Sequence, residues 1–143
     1  MPTRADLSAA EEYRHHHTEL MRAALEGQTE AVKAVLNKGQ DVNAKDDEGR
    51  SALMFAAINQ HTETVKMLLE HGADVNVRAK DGGTALLLAA STGNVQIVRA
   101  LLDRGAEVHA EFEKTGQTAL MLAEEQGHTA VIELLKRTTR REE

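Results

Sequence analysis

The sequence predicts an all-α helical repeat solenoid of four units, each a pair of short helices, joined by β-hairpin-like turns. Three observations carry this. Gly39, Gly72 and Gly105 are equally spaced, inside the related strings KGQDVN, HGADVN and RGAEVH. A second register agrees with the first, because Ser51, Thr84 and Thr118 open SALMFAA, TALLLAA and TALMLAE. Apolar residues make up 41% of the 143 residues and aromatics only 2%. The core is therefore Ala, Leu, Val, Ile and Met, side chains that suit closely packed helices. A period of about 33 residues marks a stacked, non-closed architecture in which each unit buries its apolar sides against its neighbours.

Aligned on the period, the units run over residues 15–46, 47–79, 80–112 and 113–137. The first lacks a leading turn, yet Thr18, Leu20, Ala23 and Ala24 stand one full period before Ser51, Leu53, Ala56 and Ala57. In each later unit a hydroxyl residue, Ser51, Thr84 or Thr118, precedes an apolar run, which is a helix N-cap signal. In the third unit Leu86, Leu87, Ala89 and Ala90 form the first helix, and Gly93 breaks it. Val95, Ile97, Val98, Leu101 and Leu102 recur at helical spacing in the second. Gly72 and Gly105 are placed to end second helices in the left-handed conformation of a C-terminal cap. The polar, broken segment after Gly105 reads as an extended turn or hairpin.

These residues resemble the ankyrin repeat, whose pattern is G-x-TPLHxAA…GH…VV-x-LL…GADVNA at the same period. Residues 49–77 read GRSALMFAAINQHTETVKMLLEHGADVNV, and residues 82–110 read GGTALLLAASTGNVQIVRALLDRGAEVHA. The likeness covers residues 15–137. It departs where TPLH becomes SALM, TALL or TALM, so the usual histidine bond to a neighbouring turn is lost. The fourth unit also starts one position late, since Thr118 follows Thr84 by one more than the period. Units one and four are expected to be caps. Lys136 and Glu124 replace apolar residues of the inner units, residues 138–143 read as a frayed tail, and residues 1–14 as an N-terminal extension, either a short helix or disordered.

Composition bounds the function. With no Cys, there are no disulfides, thiolate metal sites or cysteine nucleophiles, as suits a reducing compartment. A net charge of −6 argues against a nucleic-acid footprint. No stretch approaches the roughly 18 apolar residues of a membrane span, and the first residues lack the apolar run of a secretory signal. The expectation is a cytoplasmic protein, monomeric in isolation, with no nucleic-acid or membrane partner.

No catalytic constellation is legible. His15, His16 and His17 are adjacent, so on a helix they point in directions roughly 100° apart and cannot share one tetrahedral ion. Glu11 with His15 and Glu12 with His16 have the i,i+4 spacing of favourable helix pairs or of a weak metal site. His61 and His128 occupy the GH position of the resemblance, where the ring bonds backbone. Residues 80–84, KDGGT, hold two glycines but lack the strand and lysine of a phosphate loop. The acidic run Asp46, Asp47 and Glu48 lacks EF-hand spacing. The reading is of no enzyme, no metal and no cofactor.

The resemblance implies a protein-binding role through a concave face of turn tips and first-helix ends. By position the tips are Lys45, Asp47, Glu48 and Arg50, then Arg78, Lys80 and Asp81, then Glu111, Phe112, Glu113, Lys114 and Gln117. The helix ends give Leu25 and Glu26, Ile58 and Asn59, Ser91 and Thr92, and Glu125 and Gln126. Leu25 and Ile58 are large apolar residues at positions that face solvent, and Phe112 sits in the lengthened turn. Two readings fit them: partner anchors, or, for Leu25, packing under the N-terminal segment and, for Phe112, folding back on the stack. The sequence offers no second domain, so the expected role is that of a small regulator, inhibitor, adaptor or assembly subunit. The alternative is a metal- or small-ligand-binding protein using the N-terminal histidines.

Overall fold

A computed structural model of the chain describes residues 19–142. These form four helix pairs: α1 (Glu19–Leu25) with α2 (Thr29–Asn37), α3 (Ala52–Ile58) with α4 (Thr62–Glu70), α5 (Ala85–Thr92) with α6 (Val95–Asp103), and α7 (Ala119–Gln126) with α8 (Thr129–Glu142). The first helices α1, α3, α5 and α7 pack in one row and the second helices in another behind it. Among the described residues the strand-like pairings are the isolated bridges Lys45–Ser51 and Glu111–Thr118, which close two of the turns. The extension at residues 1–14, with His15, His16 and His17, lies outside the described residues.

The rows follow from the sequence of each helix. α5, ALLLAAST, buries Ala85, Leu86, Leu87, Ala89 and Ala90, because α3, α7 and α6 cover it on three sides. Alanine at 56, 57, 89 and 90 is fully buried and lets the helices approach closely. α6 is amphipathic, burying Ile97, Val98 and Leu101 while Gln96, Arg99 and Asp103 face out, the stripe a surface helix needs. At the last unit Met121 stands where Met54 and Leu87 are buried, yet it is 52% exposed, since no described helix stacks beyond α7. Glu124 and Lys136 are exposed there, as expected of a polar end.

Successive units are tied by polar contacts at fixed heights. Asn43 accepts from the Asp74 N–H at 2.7 Å and donates to the Gly72 carbonyl at 3.3 Å. Asn76 repeats this one unit on, with Glu107 N–H at 2.9 Å and the Gly105 carbonyl at 3.1 Å. This is the work of the asparagine in the DVN string. Gly72 and Gly105 have φ of +87° and +86°, as the cap reading requires.

The histidines at the GH position act backwards along the stack. His61 Nε2 lies 2.8 Å from the Leu25 carbonyl, and His128 Nε2 lies 3.1 Å from that of Ser91. Their rings lie over Gly27 and Gly93, both at positive φ, where a β-carbon would overlap the imidazole. Unit two breaks the pattern. The equivalent residue is Gln60, at φ +61°, the one non-glycine residue with positive φ among those described. A histidine from unit three would collide with its β-carbon, and unit three carries Asn94 instead. Asn94 bonds Thr62 Oγ1 at 3.3 Å and accepts from the Ile97 N–H at 3.1 Å.

Two expectations are corrected. Ser51 does not cap α3: its hydroxyl is buried and has no hydrogen-bond partner among the described residues. Thr84 and Thr118 do cap, accepting from Leu87 and Met121 N–H at 3.2 and 3.3 Å. The extra γ-methyl restricts the threonine rotamer, whereas serine turns freely. The tail is not frayed from 138, because α8 continues to Glu142. The hydroxyls of Thr138 and Thr139 bond back to the Leu134 and Leu135 carbonyls at 3.0 and 2.9 Å, and no glycine or proline intervenes to stop the helix.

Three outcomes follow for equilibrium denaturation. Leu86→Ala is expected to cost about 2–5 kcal/mol, since Leu86 is 1% exposed at the centre of the stack. Thr84→Ala should cost about 1 kcal/mol, because it removes a cap, and Ser51→Ala should cost nothing or gain up to about 1 kcal/mol, because it removes an unpaired buried hydroxyl; equal losses would contradict the assignment. Gln60→Gly should raise stability by roughly 0.5–1 kcal/mol, the relieved left-handed strain less the added unfolded-state entropy.

Candidate functional site

The turn tips are built by few atoms. In the first, Asp46 Oδ1 accepts from the N–H groups of Glu48 and Arg50 at 2.9 and 2.8 Å. Its Oδ2 accepts from Arg50 Nε at 2.8 Å, and its own N–H donates to the Arg50 carbonyl at 2.9 Å. Ala79 replaces this aspartate in the second tip, where Asp81 Oδ1 takes the Gly83 N–H at 2.9 Å. In the third tip Phe112 stands at the same place, and Thr115 Oγ1 accepts from the Gln117 N–H at 3.3 Å. Backbone links stack the tips: Lys80 N–H to the Glu48 carbonyl and Glu113 N–H to the Asp81 carbonyl, both 2.9 Å. Arg78 adds a bond to the Glu111 carbonyl at 3.1 Å.

Between these tips and the first helices lies a cleft of about 200 Å³. Its apolar walls are Met54, Phe55 and Ile58 of α3, Leu88 of α5, and Phe112 of the third tip; Arg50, Ala79, Asp81 and Gly83 complete it. Gly83 allows a close approach, since a β-carbon there would sit 2.9 Å from Asp81 Oδ1 and 3.0 Å from Phe112 Cε1 and would force both side chains to shift. In the neighbouring units this position holds Arg50 and Gln117, either of which would displace the ring. Arg50 lies across Phe55, its guanidinium carbon 5.1 Å from the ring centroid, within cation–π range. A larger, shallower hollow of about 440 Å³ lies on the outer side of the first unit, around Ala23, Ala31 and Val35.

The residues expected at the site divide into two groups. Leu25, Lys45, Asp47, Glu48, Arg50, Ile58, Asn59, Arg78, Lys80, Asp81, Glu111, Glu113, Lys114 and Glu125 are exposed. Leu25 and Ile58 are 42% and 38% accessible, large apolar side chains open to solvent. Ser91, Thr92 and Phe112 are half-buried. The hydroxyls of Ser91 and Thr92 donate to the Leu88 and Ala89 carbonyls of their own helix, and the Asn59 amide to that of Phe55. Glu125 accepts from Gln117 Nε2 at 2.7 Å. The structure brings Arg50, Ile58, Asp81 and Phe112 to one cleft. Phe112 forms a wall of that cleft and packs against the core.

Sequence reasoning missed Phe55, Met54 and Leu88. Phe55 and Ile58 are spaced i,i+3, which puts them on one face of α3, and that signal was available. The approach of Phe112 to unit two was not, because it depends on the stacking of three tips. Among the described residues no group of three or more His, Asp or Glu side chains is placed to hold a metal ion, and no helix is long and apolar enough to cross a membrane.

The family described as ankyrin repeats (3 copies) matches residues 6–79 and 77–141. These spans take in nearly the whole chain, which belongs to the ankyrin-repeat family. Such repeats are generally protein–protein interaction modules and typically non-enzymatic scaffolds. No curated protein sequence matches the chain.

Proposed function

We propose that the chain binds a partner protein on the face made by its turn tips and first helices, acting as a regulator, inhibitor, adaptor or assembly subunit. The observation that carries this reading is the cleft of Phe55, Ile58, Leu88 and Phe112 beneath the tips. Both phenylalanines of the chain line it, in a protein whose packing elsewhere is aliphatic. Ile58 stays open to water at its edge, where an isoleucine gains nothing from solvent but gains from a partner. Aromatic and large aliphatic anchors ringed by polar groups are how interfaces concentrate their energy. The tips supply that polar ring, with Lys45, Asp47, Glu48, Lys80, Glu113 and Lys114 all exposed.

Ile58→Ser separates binding from folding. It should weaken a protein co-purified from native lysate by about tenfold, the worth of roughly 1.4 kcal/mol of apolar burial, with the melting temperature unchanged. Phe112→Ser should weaken binding too and also lower the melting temperature, because the ring is half-buried. Unchanged affinity in both variants would contradict the proposal.

A further inference from the structure

The cleft also specifies what its occupant must carry, an inference that rests on the tip-and-helix face being the interface. Arg50 stands at the mouth, and two contacts hold its guanidinium: the Nε donation to Asp46 Oδ2 and the Phe55 ring beneath it. Its Nη1 and Nη2 groups make no hydrogen bond among the described residues. The charge of Asp46 is shared with the backbone N–H groups of Glu48 and Arg50, so the arginine is not its sole partner. A guanidinium fixed at Nε with both terminal nitrogens free presents the planar fork that a carboxylate takes in a bidentate bond. Immediately inside lies the apolar space between Phe55 and Phe112. Asp81 borders the cleft from the second tip, with Oδ1 committed to Gly83, and repels a second acid on that side.

We propose that the cleft takes a segment of a partner protein bearing one large apolar side chain, seated between Phe55 and Phe112, and one Asp or Glu carboxylate held by the Nη groups of Arg50. A basic side chain placed against the Nη groups is repelled by Arg50, a repulsion that Asp46, paired with Arg50, and Asp81 offset only in part. The preorganised arginine reduces the ordering cost that makes most exposed ion pairs weak.

The test uses the full chain, labelled with nitrogen-15, and N-acetylated, C-amidated hexapeptides of Gly and Ser carrying one Leu and one Asp separated by a serine, in both orders. Matched peptides replace Asp by Asn or Lys. Titration to about 10 mM covers the weak affinity such short ligands reach. One order of the Leu/Asp peptide should shift the amides of Phe55, Ile58, Gly83 and Phe112. Its Asn counterpart should bind about three- to tenfold more weakly, the Lys counterpart more weakly still, and the difference should shrink between about 50 and 500 mM salt. With Arg50→Gln the Asp and Asn peptides should bind alike. The spectrum of that variant reports that the tip stays folded, since Asp46 closes it through backbone N–H groups. Equal binding of Asp and Asn peptides to the unaltered chain overturns the acid requirement while leaving apolar docking on this face standing. An Asp preference that persists in Arg50→Gln, shifts confined to other faces, or no shift with any peptide overturns the inference as a whole. The Ile58→Ser measurement on an intact partner decides the interface itself independently.

Discussion

Each helix pair is apolar on both of its broad sides, so a unit is stable only against its neighbours, and the constant step between units is what brings equivalent residues to the same height. Leu53, Leu86 and the alanine pairs at 56–57 and 89–90 fill the interior between the rows. Because that packing is nonspecific about height, polar contacts set it. Asn43 and Asn76 fasten one loop to the next, and His61 and His128 grip the carbonyl at the end of the preceding first helix. The tips are linked by backbone bonds at Glu48 and Asp81. Each such hydrogen bond contributes about 0.5–1.5 kcal/mol, and a slip of one unit along its neighbour would break it.

The site arises where units depart from that repetition. A strictly periodic chain would place the same residue at every tip and leave the face uniform. Here the first tip has Asp46 and Arg50, the second Ala79 and Gly83, and the third Phe112 and Gln117. The absence of a side chain at Gly83 makes the room that Phe112 occupies, and the short side chain of Ala79 keeps the space beside it open. The cleft therefore needs three successive tips, each contributing a different exception. Gln60 is another departure, and its consequence is confined to the link with unit three, where asparagine replaces histidine.

The fold was legible because its signals are local and repeat. Glycines at equal steps, hydroxyl residues ahead of apolar runs and the paired alanines each mark a helix end or a close approach. What escaped depended on context. Ser51 and Thr84 carry the same capping hydroxyl, but only the threonine is held in the capping rotamer. The polar run after Arg137 has the composition of a helix end, and Thr138 and Thr139 instead satisfy their hydroxyls within the helix. At the site, the exposure of Ile58 could be read from its position. Phe55 shares the face of Ile58 by its i,i+3 spacing, while the folding back of Phe112 stood as one of two readings, decided by distances between residues far apart in the chain.

If one face, the tips and first helices, meets the partner, then hydrogen exchange of the chain alone and in complex with its co-purified partner shows it directly. Added protection is expected in α3, α5 and the three tips, with α4 and α6 unchanged. Protection gathered on α2, α4, α6 and α8, with none at Ile58 or across residues 79–83, would contradict it.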